Sequence, residues 1–140
     1  AKEFAQSYIQ GSEIYSREGH CITCHQGNRK GLPGSGFPPL AGTNWVTGHP
    51  DRLIKLTLKG LMGPIEVMGV KYPGQVPMTP FEHMLKDDEI SAVLTYVRNS
   101  FGNKASPVTI DQVAKIRNNY KDKLGLYSPE ELLKEHPLEK

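Results

Sequence analysis

The sequence predicts an all-α protein in which helices at both ends, with one or two short ones between them, enclose a long irregular wrap. Three observations carry that prediction. Apolar residues recur at helical spacing toward both ends, and no stretch sustains strand alternation. Of the 14 glycines and 11 prolines, 18 fall between residues 27 and 80, where little regular structure is expected. Only 37% of the 140 residues are hydrophobic, a low share for a chain that must build its own core. Loops of that extent are uncommon in a compact domain unless they serve a function or wrap something. A large apolar prosthetic group accounts for both features, because it supplies core that the side chains do not.

The elements follow in order. Residues 2–18 read as a helix, with Phe4, Tyr8, Gly11 and Tyr15 on one face. Glycine inside that stripe costs helix propensity, and close approach by another helix is the expected reason for it. Residues 27–48 carry breakers throughout and read as a loop. HPDRLIKLTLKG, residues 49–60, reads as a short helix with Pro50 in its first turn and Leu53, Ile54 and Thr57 on a shared face. Residues 61–80 return to loop. DDEISAVLTYVRNSFGN, residues 87–103, is the clearest helix. Acidic residues fill its first turn, Ile90, Val93, Leu94, Val97 and Phe101 form its stripe, and Gly102 suits its C-terminal cap. TIDQVAKIRNNYKDKLG reads as a second amphipathic helix capped by Thr109. YSPEELLKEHP reads as a last short one, with Ser128 as cap, Pro129 first and Pro137 as its stop.

Bulk charge narrows the function classes. The net charge is +2 and the charges are scattered, so no basic stripe points to nucleic acid. No apolar run reaches the roughly 18 residues of an integral membrane segment. The chain opens AKEFAQSYIQ, already amphipathic, which is expected if processing removed a leader or if this is an excised domain. The only two cysteines, Cys21 and Cys24, form one CxxC pair, which rules out a disulfide framework and any four-cysteine site.

Three chemistries compete for CITCH, residues 21–25. A thioredoxin-like dithiol needs a strand before it and a sheet around it. Here a helix precedes it and a glycine-rich loop follows. A zinc site needs four ligands, and His25 directly behind Cys24 is poor spacing for wrapping one small ion. The third chemistry is covalent haem. Two thiols add across the vinyl groups, and the adjacent histidine is delivered beneath the iron, which is the c-type attachment pattern.

A six-coordinate iron needs a second axial ligand, with thioether or imidazole as the usual choices. The candidates are Met62, Met68, Met78, Met84, His20, His49, His83 and His136. Met78 is preferred, because Pro77 and Pro80 stiffen the extended loop YPGQVPMTPF around it. Met84, just ahead of the long helix, reads first as a core-filling side chain. Met62 and Met68 stay open as candidates, and His20, His49, His83 and His136 read as surface residues.

GSEIY, CITCH, FPPLAG, VPMTPF and DDEISAVLTYVRNSFGN occur in that order. On these motifs the chain, over about residues 4–102, resembles the class I (mitochondrial-type) bacterial cytochromes c. More narrowly, FPPLAGTNWV, GPIEV and LTYVRNSFGN resemble haem domains attached to, or partnering, periplasmic dehydrogenases. The resemblance implies the cytochrome c fold: N- and C-terminal helices packed together, short middle helices, and long loops wrapping one covalent haem c with its iron. It implies attachment through Cys21 and Cys24, with His25 as the proximal ligand. Within the P-x-L-x-G segment, Pro38 would offer its carbonyl to the Nδ1–H of His25, and Leu40 would pack on the ring. Gly11 and Tyr15 would meet Val93 and Tyr96. Two further residues carry two readings each. Trp45 is either a propionate donor or a loop anchor. Arg52 is either a propionate partner or part of a solvated helix face. Tyr72 is expected to line the distal side.

The expected organisation is a haem domain over residues 1–102 and a helical extension over 103–140, packed on the domain or linking it to a partner. The expected function is single-electron transfer between redox protein partners: a dehydrogenase, an oxidase or another cytochrome. The alternatives are the acceptor domain of a larger periplasmic dehydrogenase, or a haem enzyme or sensor with an open sixth position. Attachment by thioethers implies export. Residues 1–102 carry 10 basic and 9 acidic side chains, so docking by a small apolar rim near the attachment site is expected rather than electrostatic steering.

Overall fold

The computed structural model describes residues 2–17, 25, 40–72, 78–100, 102–123 and 125–137. His20, Cys21, Cys24, Pro38, Pro77 and Phe101 lie outside the described residues. Helix α1 (Lys2–Tyr15) crosses α4 (Asp87–Arg98) in the most extensive contact between any two elements. Gly11 makes the crossing possible. A Cβ at that position would lie 2.1 Å from the carbonyl oxygen of Ala92 and 2.7 Å from Cβ of Tyr96. Around this approach Tyr8 meets Tyr96 edge-on at 5.0 Å, Tyr15 meets it at 5.7 Å, and the hydroxyls of Tyr8 and Ser100 lie 2.8 Å apart. The glycine in the aromatic stripe therefore serves close helix approach, as its placement predicts.

Between these helices lie two short ones. Helix α2 (Asn44–Thr47) is capped by Thr43, whose hydroxyl accepts from the Trp45 N–H. Helix α3 (Pro50–Lys59) starts with proline at its first position, and the Nδ1 of His49 accepts from the Asp51 N–H. Every residue of α3 from Arg52 to Lys59 is buried, the state of a helix enclosed on all sides. Strands β1 (Ile65–Val67) and β2 (Val70–Tyr72) pair antiparallel, with Ile65 opposite Tyr72 and Val67 opposite Val70. Their two-residue turn has positive φ at both positions, 53° at Met68 and 79° at Gly69, the hairpin turn whose twist matches the strands.

Helix α4 opens with three acidic residues, and the Glu89 carboxylate accepts the Lys86 N–H. Helix α5 (Ile110–Asn119) and helix α6 (Pro129–Glu135) both carry capping boxes, Thr109 with Gln112 and Ser128 with Glu131. Helix α5 packs on α4 and α3, and α6 packs on α3. Polar ties bind this C-terminal part to the rest. The buried Lys59 ammonium lies 2.9 Å from both carboxylate oxygens of Glu82 and 3.1 Å from the Lys123 carbonyl. Arg117 donates to Asp87 at 2.7 Å and to the carbonyls of Leu85 and Glu82. Val113 and Leu132 are fully buried, so the extension contributes to the core itself.

Four expectations need correction. Residues 44–47, read as loop, form α2, because Thr43 caps a turn whose Trp45 and Val46 face inward. Residues 61–80, also read as loop, contain the β1–β2 hairpin, whose three-residue strands are too short to show alternation. The first helix ends at Tyr15 rather than residue 18. The long helix ends at Arg98 with Asn99 as its cap, not at Gly102, because Asn103 turns back to hold other backbone.

Candidate functional site

An open pocket with an apolar wall runs into the core. Its walls come from α2 (Trp45, Val46), α3 (Leu53, Leu56, Thr57), the hairpin (Ile65, Val67) and α4 (Val93, Leu94, Val97), with Leu40, Leu61, Phe81 and Leu85 filling between. Among the described residues, two lining side chains can bind a metal, His25 and Met78. His25 is buried, and Met78 is half-buried. The polar groups around them are spent within the protein. The Thr57 hydroxyl donates to the Leu53 carbonyl at 2.8 Å, and the Trp45 indole N–H donates to the Glu66 carbonyl at 3.0 Å. An apolar wall carrying one imidazole and one thioether fits a haem iron with one ligand of each kind.

The four methionines differ in position. Met62, Met68 and Met84 are 55, 62 and 53% exposed and do not line the pocket. Met78 does, with its backbone pinned: its N–H donates to the Leu61 carbonyl at 2.8 Å, and its carbonyl accepts from the Leu61 N–H at 3.3 Å. The core-filling reading of Met84 is corrected by its exposure, since it sits in the turn that precedes α4 and faces outward.

Leu40 lines the pocket. Trp45 also lines it, but as an anchor, because its indole donor is held by Glu66. Arg52 is corrected. It is neither in the lining nor on a solvated face. It is fully buried, donating to the carbonyls of Asn44 (2.7 Å), His136 (3.0 Å) and Pro137 (3.2 Å), with its guanidinium 5.4 Å over the Trp45 ring. The C-terminal segment covers the face that periodicity alone leaves open to water. Tyr72 is likewise buried on β2 and absent from the lining, where its strand partner Ile65 stands instead. His49 and His83 are exposed, whereas His136 is half-buried with its ring 4.5 Å from that of His49. Burial, then the charge of Lys55 and the neighbouring His49, lower the pKa of His136, against smaller opposing effects of Asp51 and Glu135.

Two residues that the sequence reading did not place at the site shape it. Asn103 accepts the Gly42 N–H at 2.8 Å and donates to the carbonyls of Leu40 (3.2 Å) and Val97 (3.0 Å), fixing the Leu40–Gly42 turn to the end of α4. Buried Arg98 donates to the carbonyls of Val46 and Gly48, both at 2.8 Å, and to Ser106. A polar side chain at or just past the end of a buried helix was the only local signal for either.

The family model for cytochrome c matches residues 8–101, a span that holds the pocket, α4 and the C-terminal part of α1. The chain belongs to the cytochrome c family. Members of this family bind covalent c-type haem with iron, and they are electron carriers rather than enzymes. This cytochrome is 39% identical over 122 residues to a cytochrome c-552 of Thermus thermophilus, covering 81% of this chain and 78% of that one. It is 32% identical over 112 residues to the cytochrome c subunit of the quinone alcohol dehydrogenase of Gluconacetobacter polyoxogenes. That match covers 79% of this chain but 23% of the subunit. A similar match, 31% over 109 residues, is found with the fructose dehydrogenase cytochrome subunit of Gluconobacter japonicus, covering 76% of this chain and 22% of that subunit. The helical architecture agrees with the cytochrome c fold, and among the described residues no helix is long and apolar enough to cross a membrane.

Proposed function

We propose that this cytochrome c carries single electrons between a periplasmic donor and acceptor, on one haem attached through Cys21 and Cys24 and ligated by His25 and Met78. The observation that carries the ligand assignment is the joint presence of His25 and Met78 in one apolar pocket from which the other described methionines are absent. The haem, when bound, supplies an iron that alternates between Fe(II) and Fe(III) and so holds or releases one electron. His25 and Met78 would hold the iron in both states, so that little would rearrange and no site would open to a substrate. A thioether ligand and an apolar wall both favour the less charged state and raise the potential. Pro38 stands as the acceptor for the Nδ1–H of His25 on the P-x-L-x-G pattern. Residues 1–102 form the haem domain, with 103–140 as an extension to it. Export follows from the attachment chemistry of the family.

Absorption spectra of the ferric and reduced protein test this reading. The expected result is a low-spin c-type spectrum whose ferric form shows the weak red band of thioether ligation, lost in Met78→Ala. A high-spin ferric spectrum that takes up cyanide or CO at once would overturn it in favour of an open sixth position. A second reading, the haem acceptor domain of a larger periplasmic dehydrogenase, is favoured by the similarity to the dehydrogenase cytochrome subunits. The mass of the native polypeptide separates the two, a chain far longer than 140 residues supporting the second.

A further inference from the structure

The short segment that follows α3 is paired on both of its edges. On one edge Leu61 and Met78 exchange two backbone hydrogen bonds in an antiparallel bridge. On the other, Leu61 forms a parallel bridge with Tyr127: the Met62 N–H donates to the Tyr127 carbonyl at 2.9 Å, and the Tyr127 N–H donates to the Gly60 carbonyl at 3.2 Å. The result is a three-stranded ladder of two bridges, Met78–Leu61–Tyr127. Gly60 marks how tightly its parts meet. Its φ of 81° and ψ of 176° belong to a region that only glycine occupies at no cost. A Cβ there would lie 2.6 Å from the Met78 carbonyl oxygen, 3.1 Å from the Pro80 nitrogen and 3.2 Å from the Leu126 side chain.

We propose that the C-terminal segment, through Tyr127, is a positioning element for Met78. The proposal rests on the reading of Met78 as the sulfur ligand. For the thioether to leave the pocket by a movement of its backbone, Met78 must either break its two bonds to Leu61 or take Leu61 with it. Tyr127 closes the second route, because it holds Gly60 and Met62 from the opposite edge. Tyr127 is itself held. It is 2% exposed, the Lys123 ammonium lies 4.3 Å over its ring, and α6 with its fully buried Leu132 begins two residues on. The extension thus acts on the site without touching it, since neither Tyr127 nor any residue of α6 lines the pocket.

The test uses the full-length ferric holoprotein and the rate of cyanide binding, which requires the sixth ligand to leave. Met62→Pro deletes the donor to Tyr127 while changing a side chain that is 55% exposed and outside the lining. The preceding Leu61 is already extended, as a residue before proline must be. Loss of one such hydrogen bond predicts cyanide binding roughly two- to tenfold faster. Val113→Ala, on α5 and outside the ladder, should lower overall stability with no comparable acceleration. An unchanged rate in Met62→Pro, or equal acceleration in Val113→Ala, would overturn the proposal. The ligand reading fails separately, if Met78→Ala keeps the red band. Native-state hydrogen exchange decides the matter without any substitution. The amides of Leu61, Met62, Met78 and Tyr127 should open as one unit, with free energies that agree. Protection of Met62 and Tyr127 more than about tenfold below that of Leu61 and Met78 would mean that the tail opens alone, and would refute the coupling.

Discussion

Replacing Gly11 by alanine distinguishes two accounts of that glycine by the sign of the effect. On an open helix face, Gly11→Ala would stabilise by about 1 kcal/mol through helix propensity. Here the added methyl would meet the Ala92 carbonyl oxygen at 2.1 Å and Cβ of Tyr96 at 2.7 Å. Neither atom is the far end of a flexible side chain, so α1 and α4 must part by about 1 Å to restore ordinary contact distances. That separation loosens the Tyr8–Tyr96 and Tyr15–Tyr96 ring contacts and the Tyr8–Ser100 hydrogen bond. At about 1 kcal/mol for each, the loss is about 3 kcal/mol, and the propensity gain leaves a net cost of about 2 kcal/mol. For a chain of this length the melting temperature should fall by about 7 °C. Thermal unfolding of the holoprotein followed by far-ultraviolet circular dichroism measures it, with exposed Gln6→Ala as the comparison on the same helix. A melting temperature unchanged or raised in Gly11→Ala would refute the close-packing argument.

Three other outcomes follow from the site and its supports. Met78→Ala should abolish the red band of the ferric protein and lower the midpoint potential, because a soft thioether favours Fe(II), and spectroelectrochemistry reads both. Lys59→Met leaves the Glu82 carboxylate, itself only 17% exposed, without its partner. It should cost about 3 kcal/mol in denaturant unfolding, and adding Glu82→Gln should recover part of that. His136 has a folded pKa held below its ordinary 6.5, by burial first and then by Lys55 and His49. Below about pH 6.5 the unfolded chain therefore binds a proton that the folded chain resists, so stability should be full above that pH and decline as pH falls through it. His136→Gln should flatten this part of the stability profile, and an unaltered slope would show that other groups set it.

What could be read from the sequence depended on whether a residue's role was local. Gly11 was legible because a glycine inside an aromatic helical stripe has few uses, and the caps Thr109 and Ser128 were legible because their partners lie three residues away. Met78 stood out through its flanking prolines, but only the exposure of Met62, Met68 and Met84 separates it physically from them. Arg52 was misplaced because part of its surroundings, His136 and Pro137, is distant in sequence, and periodicity within a helix cannot report what a remote segment covers. The hairpin escaped notice because Met-Gly is an uncommon pair in a turn that usually carries Asn-Gly or Asp-Gly.

The α1–α4 crossing also bears on how the chain reaches its folded state. The hydroxyls of Tyr8 and Ser100 meet across 92 positions of sequence, so the contact closes nearly the whole matched region into one loop. Loop closure on that scale carries an entropic cost of roughly 4 kcal/mol before the enclosed segments return any contacts. A helical protein built on such a contact has more long-range pairing than a bundle of sequential neighbours, and its folding should be correspondingly slower. Much of the barrier is then the search by which the two ends of the domain find each other.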